Sequence, residues 1–160
     1  MKIHAFERFF LVTAAILIIL GAAAIGVSYF TFGVRLPGPV ARLDPQTTGQ
    51  TAPFDNPGLH QTGDKQYDAV LVANLWQWTP NAPGEGFTVP VGSTVTFKVA
   101  STNVMHGFMI RNTNINSMVI PGEVTQVTYT FDKPGEYLII CHEYCGIGHQ
   151  DMFSKVVVEA

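Results

Sequence analysis

From Phe9 to Phe32 the chain runs 24 residues without a charged side chain. A helix rises about 1.5 Å per residue, so about 20 apolar residues span a ~30 Å hydrocarbon layer. The pattern predicts one transmembrane helix over 9–32, preceded by a short N-terminus, 1–8. A cleaved signal peptide is the competing reading, because Lys2 and Arg8 supply a positive end and Ala22-Ala23-Ala24 resembles a small-residue cleavage site. The apolar run continues through Ile25, Val27, Tyr29, Phe30 and Phe32 and outlasts a signal core of roughly 7–15 residues, which favours a retained anchor. Lys2 and Arg8 precede the span and Arg35 and Arg42 follow it, so charge specifies orientation only weakly. The expected arrangement is a cell-membrane protein with a short cytoplasmic N-terminus and its large remainder on the periplasmic or extracellular side.

Beyond the anchor the periodicity changes. Residues 33–64 hold Pro37, Pro39, Pro45, Pro53 and Pro57 among Gly, Thr and Gln, with no apolar period. That composition reads as a tether lying extended along a surface. Over 65–160 the period becomes two. Val95, Phe97 and Val99 alternate with Thr94, Thr96 and Lys98 in Ser93–Ala100, and Val127, Tyr129 and Phe131 alternate with Gln126, Thr128 and Thr130 in Thr125–Phe131. Gln66–Asn74, Tyr137–Cys141 and Phe153–Val158 are further apolar or β-branched runs. Pro90-Val91-Gly92, Pro121-Gly122-Glu123 and Lys133-Pro134-Gly135 punctuate them as turns. With no helical stripe after the anchor, 65–160 reads as an all-β domain, a small antiparallel sandwich or barrel.

Charge narrows the partners. The 160 residues carry a formal −3, and from Gly33 onward seven basic and eleven acidic residues leave about −4. No basic run is available to neutralise phosphates, which excludes nucleic acid and favours a basic partner.

The chemistry gathers in 141–152, Cys-His-Glu-Tyr-Cys-Gly-Ile-Gly-His-Gln-Asp-Met. Both cysteines of the chain, Cys141 and Cys145, are followed by His149 and Met152. Two thiolates, an imidazole and a thioether form a soft donor set suited to copper and, less selectively, to zinc. Gly146 and Gly148 let the backbone bend so that the flanking side chains converge. His106, in the loop that ends the 93–100 alternation, joins them if a Greek-key connection brings two loops to one end. His4, before the anchor, and His60, in the tether, attract less interest. Three other uses of these residues stand beside a dinuclear centre. A mononuclear blue-copper site leaves one cysteine surplus, a Cys2His2 zinc site leaves Met152 idle, and outside the cytoplasm the cysteines can pair as a disulfide.

The chain resembles subunit II of the haem–copper oxygen reductases, the subunit carrying the dinuclear copper A centre. Cys141-His-Glu-Tyr-Cys145-Gly-Ile-Gly-His149-Gln-Asp-Met152 matches the family's C-x-E-x-C-G-x-x-H-x-x-M pattern, and His106-Gly107-Phe108 its upstream histidine element. Pro121-Gly122, the turn Pro134-Gly135-Glu136-Tyr137 and Trp76 with Trp78 strengthen the likeness, and the single anchor is similar to the smaller b-type enzymes. The resemblance implies a cupredoxin-like Greek-key β-barrel. It implies two copper ions bridged by Cys141 and Cys145, one completed by His106 and Met152, the other by His149 and the Glu143 carbonyl. It further implies an electron-accepting subunit of a terminal cytochrome c oxidase, reduced by cytochrome c or a small cupredoxin and passing electrons to haem in subunit I, where oxygen is reduced. Trp76 and Trp78 become candidates for admitting those electrons, with closure of one end of the core as their simpler use. The resemblance assigns His142 no task. The alternative of a different class is a membrane-tethered copper carrier or assembly protein, which favours exposed, exchangeable ligands.

Overall fold

The structure is a computed structural model in which residues 4–31 and 39–160 are described. The chain divides into an N-terminal unit containing one helix and a second compact unit that extends to Ala160. Helix α1, Ala5–Thr31, has no buried residue and is long and apolar enough to cross a membrane. This supports a single membrane anchor. It begins before the uncharged run, so Glu7 and Arg8 belong to its first turns. Phe32, the flanking charges Lys2 and Arg35, and the start of the tether at 33–38 lie outside the described residues.

The second unit is a β-sandwich. Its strands, in chain order, are β1 (Ala41–Arg42), β2 (Gly58–Gly63), β3 (Gln66–Asn74), β4 (Gln77–Thr79), β5 (Gly86–Pro90) and β6 (Ser93–Ser101). They continue with β7 (His106–Ile110), β8 (Asn116–Val119), β9 (Glu123–Phe131), β10 (Gly135–Ile140) and β11 (Phe153–Glu159). One sheet runs β1-β9-β6-β3-β2 with β4 also on β3; the other runs β5-β11-β10-β7-β8. This is the cupredoxin-like arrangement the resemblance implies. The expectation of a purely antiparallel sandwich is corrected, because β3 pairs with β6 and β11 with β5 in parallel. Parallel neighbours need a crossover, and here β5, which belongs to the opposite sheet, lies in sequence between β3 and β6.

Alternation along β6 puts Val95, Phe97 and Val99 in the core, where Phe97 packs on Phe108 and Phe131 with ring centroids 5.6 and 6.4 Å apart. On the outer face, the Thr94 and Thr96 hydroxyls hydrogen-bond those of Thr130 and Thr128 across β9. β3 lacks alternation because both its faces are covered. Ala69, Leu71 and Ala73 enter the main core, while Val70 and Val72 join Ala100, Val124 and Phe54 in a smaller cluster outside the sheet, with Leu43 packed against it. Phe54 is only 2% exposed, so part of the proline-rich stretch lies on the outer face of the β3–β6–β9 sheet.

Several short or polar strands escaped the sequence pattern. β2 is a polar edge strand, β5 begins at Gly86, whose bare Cα faces the Lys155 carbonyl, and β7 and β8 are short. β10 stops at Ile140, so Cys141 stands just past the strand expected to contain it.

Phe97→Ala should lower the unfolding free energy by about 3–5 kcal/mol, whereas Thr96→Ala, one position along on the solvent face, should cost less than about 1 kcal/mol. Denaturant unfolding followed by near-ultraviolet circular dichroism measures both; equal losses would contradict the assigned faces.

Candidate metal centre

The 141–152 loop leaves and rejoins the sandwich between β10 and β11. Ile140 pairs with Phe153, and the Cys141 N–H donates to the Met152 carbonyl at 3.2 Å. Within the loop, His149 N–H donates to the Gly146 carbonyl (3.1 Å) and Asp151 N–H to the Gly148 carbonyl (3.0 Å), forming a single 3-10 turn over His149–Asp151. The polar donors within this loop therefore face back on one another.

Cys141 and Cys145 are free, buried, and 3.7 Å apart at sulfur. Cys141 Sγ lies 3.8 Å from His106 Nδ1 and 3.2 Å from the Glu143 carbonyl oxygen. Cys145 Sγ lies 3.6 Å from His149 Nδ1 and 3.7 Å from Met152 Sδ. Donor atoms of His106, Cys141 and Cys145 all fall within 4.8 Å of one another, and His149 approaches this group from the Cys145 side. Two thiols, two imidazoles, a thioether and a carbonyl, largely withdrawn from water, make a donor set that fits a soft metal such as copper.

Burial sets the protonation of the metal-free cluster. Loss of water around His106, together with nearby His149, lowers its pKa from 6.5 to about 4, leaving the imidazole neutral at physiological pH. Burial, then the Cys141 hydrogen bond and charge, raises the Cys145 thiol to about 11. Metal uptake at neutral pH must therefore displace a proton from Cys145.

Contrary to its expected place in a loop, His106 is the first residue of β7. Its Nε2 lies 3.1 Å from Asn103 Oδ1, and that oxygen also accepts the Val104 N–H at 2.7 Å. An oxygen can only accept, so Nε2 carries the proton and Nδ1 faces the sulfurs with a free lone pair. Asn103 was missed in the sequence, although a polar side chain three residues before a candidate ligand was the available signal. His142, to which the resemblance gave no task, lies over Gly107: a Cβ there would approach its Cγ to 2.6 Å. Met105 is exposed beside the centre and Met109 is partly buried in β7.

The two tryptophans part company. Trp78 is fully buried, packing edge-on to Phe108 with centroids 5.4 Å apart and lying 6.1 Å from the His106 ring. Trp76 is 37% exposed at the tip of the β3–β4 hairpin. Of the pair, Trp76 is the one that presents an indole to solvent.

A family described as "Cytochrome C oxidase subunit II, periplasmic domain" matches residues 82–160. A cytochrome c oxidase subunit 2 of Thermus thermophilus is 45% identical over 131 residues, covering 81% of this chain and 94% of the relative. The chain belongs to the cytochrome c oxidase subunit II family. A second cytochrome c oxidase subunit 2, from another strain of the same species, is 41% identical over 148 residues, covering 91% of this chain and 86% of that protein. Among solved structures, a chain of a heme-copper terminal oxidase dimer superposes with a TM-score of 0.74 at 33% identity, covering 96% of this chain and 99% of its own. The periplasmic domain of subunit II of the Bradyrhizobium japonicum cytochrome oxidase shares the fold at a TM-score of 0.50 and 21% identity, covering 61% of this chain and 86% of that chain. Against this subunit II background, the site residues read from the sequence come together: Cys141, Cys145, His106, His149, Met152 and the Glu143 carbonyl form one connected cluster.

The lowered His106 pKa gives a signed prediction for the metal-free chain. Between about pH 4 and 6.5 the unfolded chain binds a proton that the folded chain refuses, so stability rises with pH across this window. The contribution is complete above about 6.5 and is lost as pH falls towards 4. Urea midpoints should show this slope as the difference between the parent chain and His106→Asn; a pH-independent difference would contradict it.

Proposed function

We propose that the chain is the electron-accepting subunit of a terminal cytochrome c oxidase, taking electrons from cytochrome c or a small copper protein and delivering them to a haem-bearing subunit I. The observation that carries this reading is the convergence of two buried thiols, two imidazoles and a thioether at one end of a domain whose chain also bears a membrane-length helix. In the proposed topology the N-terminus lies in the cytoplasm and the domain on the periplasmic or extracellular side. The proposed segments are 1–8 inside, 9–32 in the membrane, 33–64 as tether and 65–160 as metal domain.

Cys141 and Cys145 would hold two copper ions by bridging, His106 and Met152 would complete one, and His149 with the Glu143 carbonyl the other. When bound, a dinuclear copper centre supplies a one-electron carrier whose change in charge is shared between two metals. The chain's own residues supply the rest. The β10 and β11 feet limit how far the ligands move, Asn103 holds the His106 tautomer, and burial of both cysteines excludes water. Such burial is poorly suited to the exchangeable ligands of a copper carrier, which weighs against that alternative.

Around the centre, Leu75, Trp76, Val104, Met105, Tyr144 and Ile147 are exposed, the last two by 74% and 85%. These apolar side chains suit docking of an electron donor, and Trp76 is the candidate that admits its electrons. The acidic balance of the soluble part would act at longer range by steering a basic donor towards this surface.

Metal analysis and electron paramagnetic resonance test the centre. The oxidised, copper-loaded chain should contain two coppers but one unpaired electron, with a resolved hyperfine pattern of seven lines because two equivalent nuclei share the spin. One copper and a four-line signal, persisting after thiol reduction and full loading, would replace this reading with mononuclear blue copper. Steering is tested separately: reduction by a basic cytochrome c should slow as ionic strength rises from about 10 to 150 mM. A rate unchanged across that range would leave apolar contact alone in control of docking.

A further inference from the structure

The β3–β4 hairpin closes through only Leu75 and Trp76, since Asn74 pairs directly with Gln77. Trp76 adopts φ 67°, the left-handed region that a tight turn ordinarily gives to glycine or asparagine. A bulky aromatic residue there costs of order 1–2 kcal/mol and persists only where its surroundings hold it. The hairpin root is pinned: Asn74 Nδ2 donates to Thr79 Oγ1 at 2.9 Å, and Thr102 Oγ1 donates to Asn74 Oδ1 at 2.6 Å. Thr102 opens the loop that leads to His106, so the turn is tied to the strand end that carries one candidate ligand.

The indole extends from this turn onto the other ligand loop. A Cβ added at Gly148 would lie 2.6 Å from Trp76 Cγ and 2.9 Å from Cε3; one at Gly146 would lie 3.2 Å from Nε1. The two glycines answer different constraints. Gly146 has φ 121°, a conformation that itself favours glycine. Gly148 has φ −93° and ψ 16°, which an alanine can adopt, so the indole is what excludes a side chain there. Gly146 and Gly148 also provide the carbonyls that close the turn carrying His149, immediately after Cys145.

We propose that Trp76 is a positioning residue, held in a strained turn so that its indole clamps the Gly146–Gly148 backbone and sets the convergence of Cys145 with His149. This goes beyond exposure of an indole to a donor. It rests on the metal-centre reading only for its functional consequence, because the clamp exists in the metal-free chain.

The test uses the detergent-solubilised full chain, reduced and metal-free, with Trp76→Gly, Trp76→Phe, Gly148→Ala and the double variant Trp76→Gly/Gly148→Ala. Trp76→Gly removes the ring while fitting the turn. It should speed amide exchange at 146–152 and modification of the cysteines by an aromatic disulfide by roughly threefold or more, without lowering the urea midpoint. Trp76→Phe should restore both rates to less than about threefold of the parent. Gly148→Ala should loosen the loop as Trp76→Gly does, and the double variant should be no faster than either single change, since both remove one contact. The clamp is overturned by a Trp76→Gly chain whose rates change less than about threefold, or whose accelerated loop comes with a lowered midpoint; additive acceleration in the double variant also overturns it. Should Gly148→Ala fail to fold, the two Trp76 variants decide the matter. Copper loading keeps the two ideas apart: a parent chain that never binds two coppers sinks the proposed centre and leaves the exchange result standing.

Discussion

The antiparallel pairing of β10 with β11 ends with Ile140 opposite Phe153, so both feet of the 141–152 loop stand one strand spacing apart. The Cys141 N–H to Met152 carbonyl bond carries that pairing one step further. The first and last donors of the loop are thereby neighbours in space before any metal is considered. A free segment of this length would lose entropy on closing, and here the sheet has already closed it. His106, at the start of β7, reaches the same place because β7 pairs with β10 in the same sheet.

Enclosure at this end of the sandwich governs the chemistry. The buried imidazole of His106 resists a proton and the buried thiol of Cys145 keeps one, for the single reason that both groups avoid charge where water is scarce. A metal ion that accepts thiolates reverses the penalty at sulfur by supplying the opposite charge. Metal affinity and folding are consequently coupled, with the same loop contributing to each. Small ligand displacement on electron transfer follows from the same rigidity.

Contacts to glycine Cα atoms join the elements around the centre. His142 rests over Gly107, next to His106, and Trp76 rests over Gly148, next to His149. Each ring comes from a different segment than the glycine it covers, and in each case a Cβ would collide with it. The glycines around these ligands thus serve close approach as well as chain bending. That distinction requires both the local dihedral angles and the neighbour.

The sequence by itself determined the membrane-length helix, the all-β character of the remainder and the identity of the donor residues. These rest on local signals: an uncharged run, a period of two, and soft side chains closely spaced between Cys141 and Met152. Only the tertiary structure decided the two parallel pairings, the double-sided burial of β3, and the packing of Phe54 on the outer sheet. The β2 strand, polar at an edge, and the β5 strand, short and glycine-led, carry too weak a period to be read locally. Asn103 beneath His106, buried Trp78 against half-exposed Trp76, and the indole over Gly148 were likewise hidden, because each depends on which residues distant in the chain become neighbours. A donor's chemistry resides in its own side chain, whereas its orientation, solvent exposure and protonation belong to the surroundings that folding assembles.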